Sequence, residues 1–315
     1  MKAIILTEPG GVDKLKVAEI PAPVPGDHEV LIQNKAISIN PVDTFVRSRQ
    51  QYVDYVLGEG AKEKPIILGW DVSGVVVDTG KAVTRFKKGD EVFGMVKFKG
   101  HGKAYAEYTT APEDHLALKP ANTTHEEAAA ATLTALTAWQ ALVTYARIQK
   151  GDKVLIHAAA GGVGHYAVQI AKHFGAFVIG TGSPKNKEFV LGLGADQFID
   201  YTTERFEVVV TDADIVLDSL DEPGRSLAAL KKGGRLISIL TQFDDALLEQ
   251  ARAKDVYTYR MSVYSDGEQM KAIAGLLAGG ELRSHVSETY TFDQIAAAHQ
   301  SVESGRTRGK IILKP

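Results

Sequence analysis

Lys153-Val154-Leu155-Ile156-His157-Ala158-Ala159-Ala160-Gly161-Gly162-Val163-Gly164-His165-Tyr166-Ala167-Val168-Gln169 is the stretch that decides the reading of this chain. An apolar, strand-like run meets a glycine cluster, and a helical pattern begins straight after it. Ala159, Gly161 and Gly164 hold the spacing of a dinucleotide fingerprint, with alanine at the first glycine position and Gly162 and Val163 inside the turn. Small residues there let backbone approach a pyrophosphate, and bare N–H groups at a helix N-terminus receive it. A glycine-rich string alone is a weak signal that equally fits a strand-turn-helix without a ligand. The strand before it, the helix after it and the αβ units downstream make it specific.

Outward from that stretch, strand-like runs recur at 154–157, 177–180, 197–200, 215–218, 235–240 and 256–259. Helix-like segments at 163–174, 185–193, 225–231 and 245–254 lie between most of them. Strands alternating with helices predict a doubly wound parallel sheet. The chain before residue 123 reads differently. Short runs rich in branched residues, at 2–6, 15–20, 29–37, 71–78, 91–96, 104–109 and 115–119, are punctuated by glycine and proline and predict an irregular antiparallel barrel or sandwich. The segment 49–65 shows no clear period and reads as a long surface loop. Thr124-His125-Glu126-Glu127 reads as a capping box opening one Ala-rich helix that runs through Trp139 to Tyr145. In the tail, 267–277 and 293–301 look helical, and 286–292 and 310–313 strand-like. A strand this late returns most economically to the first domain. The expected division is therefore 1–122 with 266–315, around an α/β domain at 123–265.

Composition bounds the function. The 315 residues are 44% hydrophobic and 24% charged, an ordinary globular balance with material for two domains. A net charge of −3 argues against a dedicated nucleic-acid binder, which normally shows a basic face, so no nucleic-acid partner is expected. There is no cysteine, which removes disulfides and thiolate ligands and fits a reducing compartment. No run approaches the ~18 apolar residues of a membrane span. The expectation is a cytoplasmic protein without a membrane partner.

The end of the second αβ strand chooses the cofactor. An NAD-preferring site places an acid there for the ribose 2′-OH. Here the chain reads Ile179-Gly180-Thr181-Gly182-Ser183-Pro184-Lys185-Asn186-Lys187, with no acid before Glu188. A hydroxyl and an ammonium suit a 2′-phosphate, so NADPH is predicted, with Ser183 and Lys187 on that phosphate and Gly180 in the cofactor set. The bland alternative is a solvated helix start, although lysine in a first turn opposes the helix dipole. Ser219 and Leu240, at C-terminal ends of predicted strands, are further cofactor candidates.

Several pieces in this order and spacing resemble the medium-chain dehydrogenase/reductase superfamily, and within it the zinc-independent quinone oxidoreductase branch. They are Asn40-Pro41-Val42-Asp43, Gly69-Trp70-Asp71-Val72-Ser73-Gly74-Val75-Val76, Thr137-Ala138-Trp139, the fingerprint, and Arg306-Thr307-Arg308-Gly309-Lys310. The resemblance covers essentially the whole chain. It implies a GroES-like β-rich domain, an inserted Rossmann domain and a C-terminal return. Asn40 stands where zinc relatives resemble a cysteine ligand, and Trp70 where they place a histidine; neither makes the usual zinc bond. The nine histidines include no H-x-x-x-H pair, and no metal is expected. The resemblance further implies Asn40 and Thr137 around the nicotinamide, Tyr201 with Ser183 and Lys187, Lys310 on the cofactor side of the cleft, and Tyr52 as a pocket tyrosine. Asp43 reads as a structural acid.

Without a Lewis acid for an alkoxide, and with Tyr201 followed by Thr202-Thr203-Glu204-Arg205 rather than a Tyr-x-x-x-Lys, electron-poor acceptors are favoured. The expected activity is NADPH-dependent reduction of a small-molecule quinone or α,β-unsaturated carbonyl by direct hydride transfer, with Asn40 and Tyr52 as catalytic candidates. Alternatives are an enoyl-thioester reductase, a non-catalytic NADPH-binding redox sensor, or an RNA-binding crystallin-like protein. Relatives pair their Rossmann domains edge to edge, which implies a homodimer joined along the strand near 256–261.

Overall fold

The computed structural model describes residues 1–315. Along the chain the elements are β1 (Lys2–Leu6), β2 (Leu15–Glu19), β3 (Glu29–Ile39), α1 (Pro41–Ser48), α2 (Gln50–Leu57), β4 (Ile66–Ile67), β5 (Asp71–Thr79), β6 (Glu91–Met95), β7 (Tyr108–Pro112) and β8 (Ala117–Leu118). There follow α3 (His125–Ala130), α4 (Leu133–Trp139), β9 (Lys153–Ile156), α5 (Gly164–His173), β10 (Phe177–Gly182), α6 (Lys187–Gly192), β11 (Gln197–Asp200), α7 (Phe206–Val209), β12 (Ala213–Asp218), α8 (Pro223–Ala229) and β13 (Leu230–Ser238). The chain closes with α9 (Asp245–Ala253), β14 (Tyr257–Arg260), α10 (Gly267–Ala278), β15 (Val286–Thr291), α11 (Ile295–Glu303) and β16 (Lys310–Lys314). It divides into two units, 1–136 with 264–315 and 137–263. The first takes in α3, which packs on β3 and β5. No helix is long and apolar enough to cross a membrane.

The first unit is β-rich, with one sheet ordered β2-β1-β4 and another ordered β15-β16-β3-β5-β6-β8, to which β7 adds on β3. Its spine is β3, where Val30, Ile32 and Ala36 alternate inward as a half-buried strand requires. The C-terminal strand does return to this unit. β16 pairs antiparallel with β3, with Ile311 opposite Ile39, and that register brings Lys310 beside Asn40.

The second unit holds six parallel strands in the order β11-β10-β9-β12-β13-β14. Strand order reverses at β9, so the fingerprint leaves the sheet at its topological switch point, where such sheets bind ligands. Leu155, Ile199, Val216 and Leu236 form the centre of its core.

Four local expectations differ. The stretch 49–65 is not a loop: α2 buries Val53, Val56 and Leu57 along one face, and Gly58 ends it at a φ of 56° before a 3₁₀ turn over Gly58–Lys62. Eight residues are too few for the helical period to stand out. The helix expected from 124 to 145 is broken. Ala131 leaves helical geometry, the Leu133 N–H donates to the Asp71 carboxylate at 3.1 Å, and the end widens into a π-helical turn over Gln140–Tyr145. A buried acid from another element has captured the start of α4. The strand expected at 104–109 lies later, as β7, and residue Ala106 makes only an isolated bridge to Ala3. The one at 235–240 begins at Leu230 and stops at Ser238, leaving Leu240 beyond the sheet.

Candidate active site

In the second unit, the turn after β9 is built by small residues. Ala158 adopts a φ of 46°, and the Gly161 N–H closes the turn on the Ala158 carbonyl at 2.8 Å. A Cβ on Gly164 would lie 2.2 Å from that carbonyl oxygen and 2.7 Å from the Ala159 Cα, so no side chain fits where α5 begins. Gly161, Gly162 and Val163 are half-buried on the turn, and Ala159 is fully buried beneath it. Gly180 is a spacer in β10: a Cβ there would meet Val190 and the Ala159 Cβ at 2.7 and 2.8 Å. The cradle has the shape that a pyrophosphate needs.

Beside it, β10 and β11 run in register with Gly182 opposite Asp200, so Ser183 and Tyr201 leave neighbouring strands together. Ser183 is half-buried and its Oγ accepts from Asn186 Nδ2 at 3.3 Å, while Lys187 is exposed at the start of α6 and Tyr201 is 56% exposed. No carboxylate ends β10. The acid ending β11, Asp200, is engaged by the Thr202 N–H and hydroxyl at 2.9 and 2.7 Å. Ser219 donates its hydroxyl to the His157 carbonyl at 3.1 Å, Leu240 is half exposed, and Thr137 is buried in α4. His157, which the sequence did not single out, is buried between the hydroxyls of Thr181 and Ser226, each at 3.2 Å. Burial pushes its pKa down to about 4, and the ring is a neutral structural group.

The first unit brings Asn40 and Lys310 together, but not at a surface. Asn40 is fully buried and Lys310 is 3% exposed. The Lys310 ammonium donates to the Asn40 Oδ1 and, at 3.0 Å, to the Ile39 carbonyl, and the Asn40 amide N–H₂ donates to Asp71 at 2.8 Å. Lys310 therefore turns inward, because two carboxylates wait there. Asp71 lies on β5, and Asp43 accepts the Asn40 backbone N–H at 2.6 Å, capping α1 as a structural acid. Burial pushes the Asp43 carboxyl up to about 7, helped by the neighbouring Asp71 and opposed by Lys310. Burial also raises Asp71, and it lowers the Lys310 ammonium to about 8 against the pull of both acids. Around them lie Tyr105, bonded to His299 Nε2 at 3.2 Å, and the buried Arg47 paired with Glu303. Tyr52 sits half-buried on α2, not on a loop, with its ring 6.1 Å from Phe45. Only Asp43 could be read as a capping acid from sequence; the Asp71–Asn40–Lys310 chain depends on strand register.

A parallel sheet whose fingerprint leaves at the switch point, in a chain that also carries a β-rich unit closed by its own C-terminal strand, is the architecture of the dehydrogenase/reductase class. Two family models match: alcohol dehydrogenase GroES-like domain over residues 26–121 and zinc-binding dehydrogenase over 193–313. The chain belongs to the medium-chain dehydrogenase/reductase family. It is 35% identical to the 2-methylene-furan-3-one reductase of Solanum lycopersicum, covering 100% of this chain and 79% of that protein. It is 33% identical to an NADPH-dependent alkenal/one oxidoreductase of Arabidopsis thaliana, covering 100% and 80%. The quinone oxidoreductase of Coxiella burnetii superposes with a TM-score of 0.91 at 34% identity, over 100% of this chain and 99% of that one.

One of those models is described as zinc-binding, and the residues here do not fit a zinc ion. Both ends of the Asn40 amide are bonded inside the protein, and Trp70 Nε1 donates to the Gly100 carbonyl at 2.8 Å. No group of three His, Cys, Asp or Glu side chains is placed to hold a metal.

Proposed function

We propose that the protein reduces quinones or α,β-unsaturated carbonyl compounds with NADPH and without a metal. The observation that carries this reading is the Asn40 and Trp70 pair, hydrogen-bonded into the protein where zinc ligands would be needed. An acceptor that takes hydride without a Lewis acid suits such a site. The relatives' names, a furanone reductase, an alkenal/one oxidoreductase and a quinone oxidoreductase, support that substrate class.

NADPH supplies the hydride. The residues proposed to hold it are the turn 159–164 on the pyrophosphate, Ser183, Lys187 and Tyr201 on the 2′-phosphate, and Thr137, Ser219 and Leu240 along the rest. Asn40 is proposed to act through its clamped amide, as a group that shapes the nicotinamide side of the first unit. A quinone can take its proton from solvent. An enone leaves an enolate oxygen that needs a donor, and the Tyr52 hydroxyl is assigned that part. The cytoplasm is proposed as its compartment, on the absence of cysteine. β14 ends the sheet, which supports a homodimer formed by a second copy along that edge.

Lys187→Ala should weaken NADPH binding by about tenfold or more, since a charge-assisted hydrogen bond contributes roughly 1.5–3 kcal/mol. NADH affinity should barely change. Titration of both nucleotides checks this, and equal losses would remove Lys187 from the 2′-phosphate.

A further inference from the structure

We infer that the first unit carries a second small-molecule site, a pocket for an organic anion: a carboxylate or phosphate monoester on a short apolar body. A cleft of about 710 Å³ lies wholly within this unit, between the turn around 57–65, the segment 97–103 and the chain at 20–23. That volume is in the range of ordinary ligand sites. Leu57, Pro65, Ile67 and Phe98 supply an apolar wall.

The charge on its lining is not balanced. Lys97 pairs with Glu29 at 2.7 Å, Lys103 with Glu63 at 2.5 Å, and Glu59 with Lys62 at 2.5 Å. Lys99 lies 3.9 Å over the Tyr55 ring, and neither it nor Lys64 has a carboxylate partner. Two lysines that line the cleft thus have no carboxylate partner.

His101 gives the second, independent observation. It lines the cleft and is only 7% exposed. Its Nε2 accepts the Ile67 backbone N–H at 3.1 Å, so the proton of the neutral ring is on Nδ1. Nδ1 has no hydrogen-bond partner, and the nearest Glu63 oxygen is 3.7 Å away. Burial and the nearby Lys103 keep the ring neutral, with a pKa of about 4. A buried N–H donor without an acceptor calls for one. Gly60 lets the 58–62 turn close directly on this ring, since a Cβ there would lie 2.7 Å from the His101 Cβ.

Glu63 therefore stands as the chain's own substitute for the ligand's anionic head. It reaches Lys103 and approaches His101 but satisfies only the lysine, and its side chain is 57% exposed and able to swing away. An incoming anion takes Lys103, the His101 N–H and the unpaired Lys64 and Lys99, with its apolar end against Phe98.

Calorimetric titration of the full chain with hexanoate, hexyl phosphate and hexanol tests this and needs no turnover. At least one anion should bind tenfold or more tightly than hexanol, less so at high salt, and the preferred one identifies the head group. Lys64→Glu/Lys99→Glu should lose that binding tenfold or more, and His101→Phe likewise. Glu63→Gln should tighten it, because the competitor's charge is gone. Unchanged NADPH affinity in the surface variants shows that they are folded. Failure of both anions to bind, binding of hexanol equal to theirs, or wild-type anion affinity in the double lysine variant would each overturn the proposal.

Discussion

Lys310→Met should lower folding stability by about 3–5 kcal/mol, the usual consequence of removing one partner from a buried ion cluster. The substitution keeps the stem of the side chain and removes the ammonium that faces Asn40, Asp71 and Asp43. Both acids are fully buried, and the Asn40 Oδ1 would lose its donor. The loss should depend on pH, with a sign fixed by the shifts. The folded Asp43 carboxyl sits at about 7, above its ordinary 3.8, so the folded state holds its proton more firmly and stability falls as pH rises between those values. In the wild type this fall ends near pH 7, whereas without Lys310 that carboxyl and Asp71 rise further and the variant goes on losing stability, so its deficit grows as pH rises past about 7. It goes on growing above about 8, where the folded wild type sheds the Lys310 proton before the unfolded chain does and gains stability that the variant lacks. Denaturant unfolding followed by tryptophan fluorescence measures this. A change below about 1 kcal/mol, or a deficit that shrinks with rising pH, contradicts the buried-cluster account.

Gly164→Ala should have the other large effect. The new methyl would be placed 2.2 Å from the Ala158 oxygen, a distance between backbone and Cβ that only a shifted turn can relieve. Strain of this kind amounts to roughly 1–3 kcal/mol, and NADPH affinity should fall with stability by about ten- to a hundredfold. Gly161→Ala is the contrast. A Cβ there grazes the same oxygen at 3.2 Å, so the fold should be nearly unaffected while the methyl stands where the pyrophosphate must approach. Thermal melts and nucleotide titration of the two variants separate a glycine needed by the fold from one needed by the ligand. Wild-type stability in Gly164→Ala would show that the turn is not constrained as described.

The second unit was largely legible before its structure was known. Each of its strands is a short run, most are followed by a helical pattern, and the fingerprint marks the switch point. Within it α7 was missed, since four residues show no period. The first unit was harder. The helix α2 hides its period in eight residues, and the break before α4 is made by Asp71, more than sixty residues away in sequence. The fingerprint turn and Ser183 could be placed from strand ends, because a parallel sheet puts all such ends on one edge, while Tyr201 came with the family resemblance. Asn40 and Lys310 could not. Only the antiparallel register of β16 on β3 shows that the two side chains bond to each other and leave the surface.

The central claim, reduction of an electron-poor acceptor by NADPH with no metal, is tested most directly by one assay. Purified protein is dialysed against a strong chelator, and the near-ultraviolet absorbance of NADPH is followed with an ortho-quinone and with a medium-chain enone. The account predicts oxidation of NADPH, above the enzyme-free rate, with at least one of the two, at a rate that chelation leaves unchanged. No turnover of either acceptor despite measurable NADPH binding, or a rate lost on chelation and restored by zinc, would contradict it.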